Sequence, residues 1–96
     1  MVRHIILWKL RDGLSDKETI KAQAKENLEG LCGKIDGLIT LTLTTDRLPS
    51  SNADMMLYSE FRDEAALALY AASPVHNAVA DKYVRPYTEQ RLCIDF

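Results

Sequence analysis

The chain has 96 residues, of which 47% are hydrophobic and 27% charged, a composition typical of one globular domain over residues 1–96. Its 12 basic and 14 acidic residues give a net charge of −2, and it lacks the basic stripe with which proteins bind nucleic acid. The longest apolar run, at residues 65–72, is far shorter than the ~20 residues that cross a bilayer.

The first predicted element is a strand over residues 2–10, which is rich in β-branched and aromatic residues and is followed by the turn signal Asp12-Gly13. This segment lacks the small-residue cleavage site of a secretory signal. We therefore expect a cytoplasmic protein. In that compartment Cys32 and Cys93 are expected to stay free and semi-buried, with no structural disulfide and no metal role.

A helix of about 17 residues is predicted next, from the helical spacing of its apolar residues. Ser15 and Glu18 have the spacing of a capping box at its start, and Gly33 marks its end. A second strand opens at Gly37, and three aliphatic side chains are expected on its buried face: Ile39, Leu41 and Leu43. A loop at 46–54 then leads to a third strand over 55–61.

The last third of the chain predicts a broken helix and a final strand. Asp63 can cap a helix over 64–71, and the dipeptide Ser73-Pro74 ends it and starts another, with Ser73 as the N-cap. The second helix runs over 75–83 until Arg85-Pro86. The final strand, 90–96, is expected to carry three apolar side chains on one face: Leu92, Ile94 and Phe96.

The order strand–helix–strand–strand–helix–strand is a split βαβ unit repeated once. It predicts an α+β, ferredoxin-like fold, with a four-stranded antiparallel sheet and both helices on one face. The first and third strands lie centrally in this arrangement.

Both central strands are apolar on both faces. Ile6 and Trp8 point to one face of the first strand, and Ile5 and Leu7 point to the other. The third strand repeats the pattern, with Met55 and Leu57 opposed to Met56 and Tyr58. Helices can cover only one face, so a second copy of the chain is expected to cover the other in a two-fold homodimer.

Three residues are candidates for chemistry: His4, Tyr70 and His76. His4 shares a strand face with Ile6 and Trp8, and the broken helix bearing the other two is expected to lie above it. Two imidazoles and a phenol in an apolar pocket can bind and transfer protons. The expected wall of this pocket consists of Ile6, Trp8, Leu28 and Val79.

A purely structural interpretation of the three residues stays open, because a histidine at a strand end is often half-exposed and a helical tyrosine often only packs. The histidines lack the spacing of a zinc site. No glycine-rich phosphate loop and no nucleophile motif is present. We therefore expect no metal and no cofactor.

Four segments together resemble the stress-responsive A/B barrel (Dabb) family: VRHIILWKLRDG at 2–13, GKIDGL at 33–38, SEFRDEAALALY at 59–70 and SPVH at 73–76. The resemblance extends over nearly the whole chain. It implies ferredoxin-like subunits whose sheets close into a dimeric α/β barrel with the helices outside.

The family includes plant polyketide cyclases, and the resemblance implies roles for this chain's residues. His76 matches the general base, Tyr70 the tyrosine that assists it, and His4 the histidine of the first strand. The family often has H-P-x-H in the helix break, and Ser73 replaces the first of these histidines. Trp8 is bulky for a pocket wall and is expected to shrink the cavity.

These observations leave three functions open. The first is a protein that binds a small apolar or aromatic ligand between sheet and helices, with cyclase-like acid–base chemistry by His76 and Tyr70 and His4 as a second polar contact. The second is a non-catalytic, stress-associated dimer whose interior is filled. The third is a haem- or oxygen-dependent monooxygenase, because related dimeric barrels do such work.

Overall fold

The computed structural model describes residues 1–96 and shows one sheet covered by helices. The strands are β1 (Val2–Leu10), β2 (Leu38–Thr44), β3 (Met55–Phe61) and β4 (Thr88–Asp95). The helices are α1 (Lys17–Glu29), α2 (Glu64–Ala72) and α3 (Pro74–Tyr83), and a 3-10 turn spans Arg85–Tyr87. No helix combines the length and the apolar character that a membrane crossing requires.

The sheet is antiparallel throughout, with the strand order β2-β3-β1-β4. This confirms the predicted ferredoxin-like fold with β1 and β3 at its centre. The predicted start of the last strand was two residues late, because β4 begins at Thr88. Both cysteines are free, but they are exposed and not semi-buried as predicted.

Helix α1 begins differently from the prediction. Asp16, and not Ser15, is its N-cap, and the Asp16 carboxylate accepts a hydrogen bond from the backbone N–H of Thr19 at 3.2 Å. A carboxylate at this position also interacts favourably with the helix dipole. The helix has 13 residues and ends at Glu29. Turns follow immediately, so the helix ends before Gly33, where the sequence predicts its end.

Strand β2 contains an irregularity that the sequence pattern did not reveal. Leu38 pairs with Phe61, but Thr40, two residues later, pairs with the adjacent Glu60, so one extra residue is accommodated between them. The shift turns Leu38 inward and leaves Ile39 55% exposed. The prediction that Ile39 lies on the buried face is therefore wrong, whereas Leu41 and Leu43 are buried as predicted.

The break between α2 and α3 occurs where the sequence predicts it. Asp63 caps α2 by accepting from the N–H of Ala66 at 2.8 Å. Ser73 is extended, with φ −66° and ψ 128°, and Pro74 occupies the first turn of α3. The Ser73 side chain makes no capping hydrogen bond. Its carbonyl instead accepts from the N–H of Asn77 at 2.9 Å.

The core lies between the sheet and the helices and contains 15 buried apolar residues. Along β1, alternate side chains enter this core: His4, Ile6, Trp8 and Leu10. The alternation therefore places a polar, titratable side chain among apolar neighbours at one end of the strand.

The opposite side of the sheet, here called the outer face, carries six apolar side chains in two rows across β3, β1 and β4. One row consists of Tyr58, Ile5 and Ile94, and the other of Met56, Leu7 and Leu92. Leu92 and Ile94 are 69% and 61% exposed. A contiguous apolar patch of this kind is typical of an interaction surface.

Candidate functional site

A cavity of about 90 Å³ lies between the sheet and the helices. Its wall combines residues from every layer of the fold: His4, Ile6, Trp8, Leu28, Leu57, Tyr70, Ala71, His76, Ala80, Val84, Arg85 and Arg91. An engineered cavity of 150 Å³ takes up benzene, and a water molecule occupies about 30 Å³ in the liquid. The enclosed space therefore fits a group of only a few heavy atoms.

The helix break brings Tyr70 and His76 together. In a continuous helix, residues six apart lie about 240° from each other around the axis and point to different sides. The turn at Ser73 changes this, and the two ring centroids lie 4.1 Å apart with 35° between the ring planes. His4 approaches the same phenol from the sheet, edge-on, with 6.3 Å between centroids.

Two buried polar atoms in this cluster have no hydrogen-bond partner: the Tyr70 hydroxyl and Nδ1 of His76. Tyr70 is only 1% exposed. An unsatisfied buried polar group costs about 1–3 kcal/mol, and because such groups are rare in folded proteins each of them requires an explanation, of which a catalytic role is one. Both atoms belong to residues that line the cavity.

The surroundings keep both groups neutral near pH 7. Burial, with smaller contributions from Arg85, His4 and Arg91, lowers the pKa of His76 to about 4. Burial also raises the pKa of Tyr70 well above its usual range, with a smaller contribution from Cys32. The cavity therefore offers an imidazole that can accept a proton and a phenol that can donate a hydrogen bond.

His4 is held by a residue at the other end of the chain. Its Nδ1 donates to the carboxylate of Asp95 on β4, which pairs directly with His4 across the sheet. A carboxylate on Nδ1 fixes the orientation and tautomer of the imidazole and leaves Nε2 as the free nitrogen. Sequence reasoning missed Asp95. The only available signal was its alternation along β4 with two other polar residues, Arg91 and Cys93.

His4, Cys93 and Asp95 place one nitrogen, one sulfur and one oxygen within 4.8 Å of one another. Zinc binds these atom types, although the spacing of the histidines in the sequence does not predict a metal site. The thiolate is the form that binds metal, but neighbouring groups that displace water from the thiol, together with the charge of Asp95, raise the pKa of Cys93. A cation would also compete with the hydrogen bond that joins His4 to Asp95.

Two arginines that the sequence analysis did not single out complete the cavity wall. Arg85 follows α3, and Arg91 lies on β4 opposite Trp8. Both are exposed, so they form the rim of the cavity towards solvent.

The predicted pocket residues do not all line this cavity. Ile6, Trp8 and Leu28 do. Val79 instead packs, half-buried, against the core cluster. The cavity is small, and the indole of Trp8 forms part of its wall.

The model of the stress responsive A/B barrel domain matches residues 2–96. No curated protein sequence matches the chain. Among solved structures, a dimeric protein of unknown function with a ferredoxin-like fold from Bacteroides fragilis is 32% identical. It superposes with a TM-score of 0.90, and the match covers 99% of this chain and 93% of that one.

Two enzymes share the fold at lower identity. A hydroxynitrile lyase from Passiflora edulis is 19% identical with a TM-score of 0.80, covering 99% of this chain and 90% of the lyase. An antibiotic biosynthesis monooxygenase is 12% identical with a TM-score of 0.76, covering 100% and 96%. At these identities the likeness shows the fold alone.

Proposed function

The chain belongs to the stress-responsive A/B barrel family, and on this premise we propose that it is a homodimer that binds a small carbonyl compound in the cavity and transfers a proton there. His76 is the general base, and Tyr70 donates a hydrogen bond to the carbonyl oxygen. The observation that carries the proposal is the pair of buried, unpartnered polar atoms in one cavity, the Tyr70 hydroxyl and His76 Nδ1.

The proton transfer follows from the protonation states. Neutral His76 takes a proton from the carbon next to the carbonyl. The electrons of that C–H bond form a C=C bond, and the π electrons of the carbonyl group move onto its oxygen. The hydroxyl of Tyr70 stabilises the resulting oxyanion because it stays protonated. His4, oriented by Asp95, is a second polar contact for the ligand.

The dimer uses the outer face. Three of its six apolar side chains are exposed in the single chain and the other three are half-buried. The Bacteroides fragilis relative is described as dimeric. Pairing two such faces removes both from water and closes the two sheets into a barrel, with the cavities on the helix side of each sheet. A closed two-fold dimer is the commonest way to cover such a surface.

Deuterium exchange tests the chemistry. Pyruvamide in D2O should lose its methyl protons faster with the wild-type protein, followed by proton NMR. His76→Ala should slow the catalysed exchange about 100-fold or more, and Tyr70→Phe by a similar factor, because general bases and oxyanion donors contribute on that scale. Tyr83→Phe is the matched control, since Tyr83 is half-buried and lies outside the cavity wall. Equal exchange rates in all four proteins would refute the proposal.

The same exchange reaction should have a distinctive pH profile. Because the pKa of His76 is lowered to about 4, its base form is complete above about pH 5. The catalysed rate constant should therefore be flat between pH 6 and 8 and fall as the pH drops through about 4. An unperturbed imidazole would instead lose activity below about pH 6.5. If the catalysed rate constant instead falls with a midpoint at about pH 6.5, a group other than His76 is the base.

A non-catalytic dimer is the second candidate, and the small cavity volume favours it. It predicts no thermal stabilisation by short ketones, phenols or acids, whereas the proposed function predicts stabilisation that Tyr70→Phe reduces. A haem does not fit inside this cavity. A cavity of about 90 Å³ is smaller than the ~150 Å³ that accommodates benzene, and a haem is much larger than benzene.

A further inference from the structure

We propose that the ligand of this cavity is a small carboxylate and that Arg91 binds its charged group at the rim. This inference deepens the proposed function and rests on it, because it specifies the chemical class of the ligand in the same cavity. The supporting observations are the ion-pair partners of the two rim arginines, the charge of the cavity wall and the volume of the cavity.

The two arginines differ in their partners. Arg85 is engaged, since its guanidinium donates to the Asp81 carboxylate and to the side-chain oxygen of Asn77, the latter at 3.1 Å. Arg91 makes no ion pair with any carboxylate of the chain. Its position on β4 opposite Trp8 fixes it beside the cavity. Arg91 also contacts the Cys93 thiol, but no carboxylate neutralises its charge, which is therefore available to a ligand.

The charge of the cavity wall favours an anion. Arg85 and Arg91 are the charged residues of the wall, and no carboxylate lines it. Two carboxylates close to the wall bind other residues, because Asp81 binds Arg85 and Asp95 binds His4. The two guanidinium charges also contribute to the lowered pKa of His76. An anionic ligand would compensate this positive potential, and guanidinium groups bind carboxylates in a bidentate manner.

A buried donor lies deeper in the same cavity. The hydroxyl of Tyr70, in a residue 99% removed from solvent, is unpartnered and lines the wall with Arg91. A molecule with a carboxylate at one end and a carbonyl oxygen next to it can satisfy both groups at once. The volume of about 90 Å³, equivalent to about three water molecules, limits the enclosed part to a few heavy atoms. A short 2-oxo acid has these properties.

The test uses pyruvate and its neutral analogue pyruvamide, which differ only in the charged group. Dissociation constants are measured by titration of the ¹⁵N-labelled full-length protein, followed by NMR. We expect pyruvate to bind at least tenfold more tightly than pyruvamide to the wild type. Arg91→Gln should remove this preference, because it weakens the binding of pyruvate far more than that of pyruvamide. Arg11→Gln, which alters an exposed arginine outside the cavity wall, should retain it.

The outcomes separate the two proposals. If both probes perturb cavity resonances with equal affinity, or if Arg91→Gln leaves the pyruvate preference intact, the carboxylate inference is wrong and the proposed function stands. If neither probe perturbs the cavity at millimolar concentration, both proposals fail. Adding sodium chloride in place of pyruvate shows whether any small anion produces the same shifts. Equal shifts with chloride would also overturn the assignment.

Discussion

Leu7→Glu is expected to convert the homodimer into a folded monomer. Leu7 lies on the central strand β1, between Met56 and Leu92 in one row of the outer face. In the dimer the substitution would bury a carboxylate in an apolar interface, twice because of the two-fold symmetry. Burial of an unpaired charge costs several kcal/mol, and about 4 kcal/mol corresponds to a thousandfold weaker association.

Sedimentation equilibrium measures this effect directly. The wild type should show twice the chain mass of 10.8 kDa at micromolar concentration, and the variant should show the chain mass alone. Leu69→Glu is the matched control, because Leu69 is an exposed leucine on α2, in the helix layer and away from the outer face. A dimeric Leu7→Glu variant, or a wild type that is monomeric at high concentration, would contradict the assignment of this face.

Gly37→Ala is expected to lower the free energy of unfolding by about 3 kcal/mol. Gly37 has φ +82°, and a Cβ there would lie 2.5 Å from the Cβ of Ala66 on α2. The left-handed conformation costs a residue with a side chain about 1–2 kcal/mol, and forced packing adds about 1–3 kcal/mol. The contact is severe because Cβ atoms in folded proteins do not approach this closely, and it lies between the residue before β2 and the first turn of α2, the helix that carries Tyr70.

Gly13→Ala separates the two causes. Gly13 has φ +80°, almost the same as Gly37, but a Cβ there meets no atom within 4 Å. Urea unfolding should therefore show a loss of only about 1–2 kcal/mol for this variant. Adding Ala66→Gly to Gly37→Ala should recover part of the larger loss. Equal destabilisation by the two glycine substitutions would show that the contact with Ala66 is unimportant.

The elements of the fold could be predicted because their patterns are local. The alternation in β1, the Asp63 cap and the Ser73-Pro74 break each depend on a few neighbouring residues. Errors arose where two local choices were nearly equivalent. Ser15 and Asp16 are both good N-cap residues, and Leu38 and Ile39 are both apolar. Only the packing of α1 and the pairing of β2 with β3 distinguish the members of each pair.

The candidate site was predictable only in part. Tyr70 and His76 are six residues apart, so a recognisable helix break was enough to suggest that they meet. His4 and Asp95 are 91 positions apart, and the register of β1 with β4 brings them together. The sequence does not specify that register. For the same reason Arg91, which the register places opposite Trp8, was not recognised as part of the cavity.

Strand β4 lies at the edge of the sheet, and its side chains alternate between two surfaces. Arg91 and Asp95 face the helix side, where the first lines the cavity and the second holds His4, while Leu92 and Ile94 belong to the outer face. A ligand or partner that immobilises the side chains on one surface also restricts those on the other, because both sets belong to the same strand. Occupancy of the cavity and self-association should thus be thermodynamically linked, each raising the equilibrium constant of the other by the same factor.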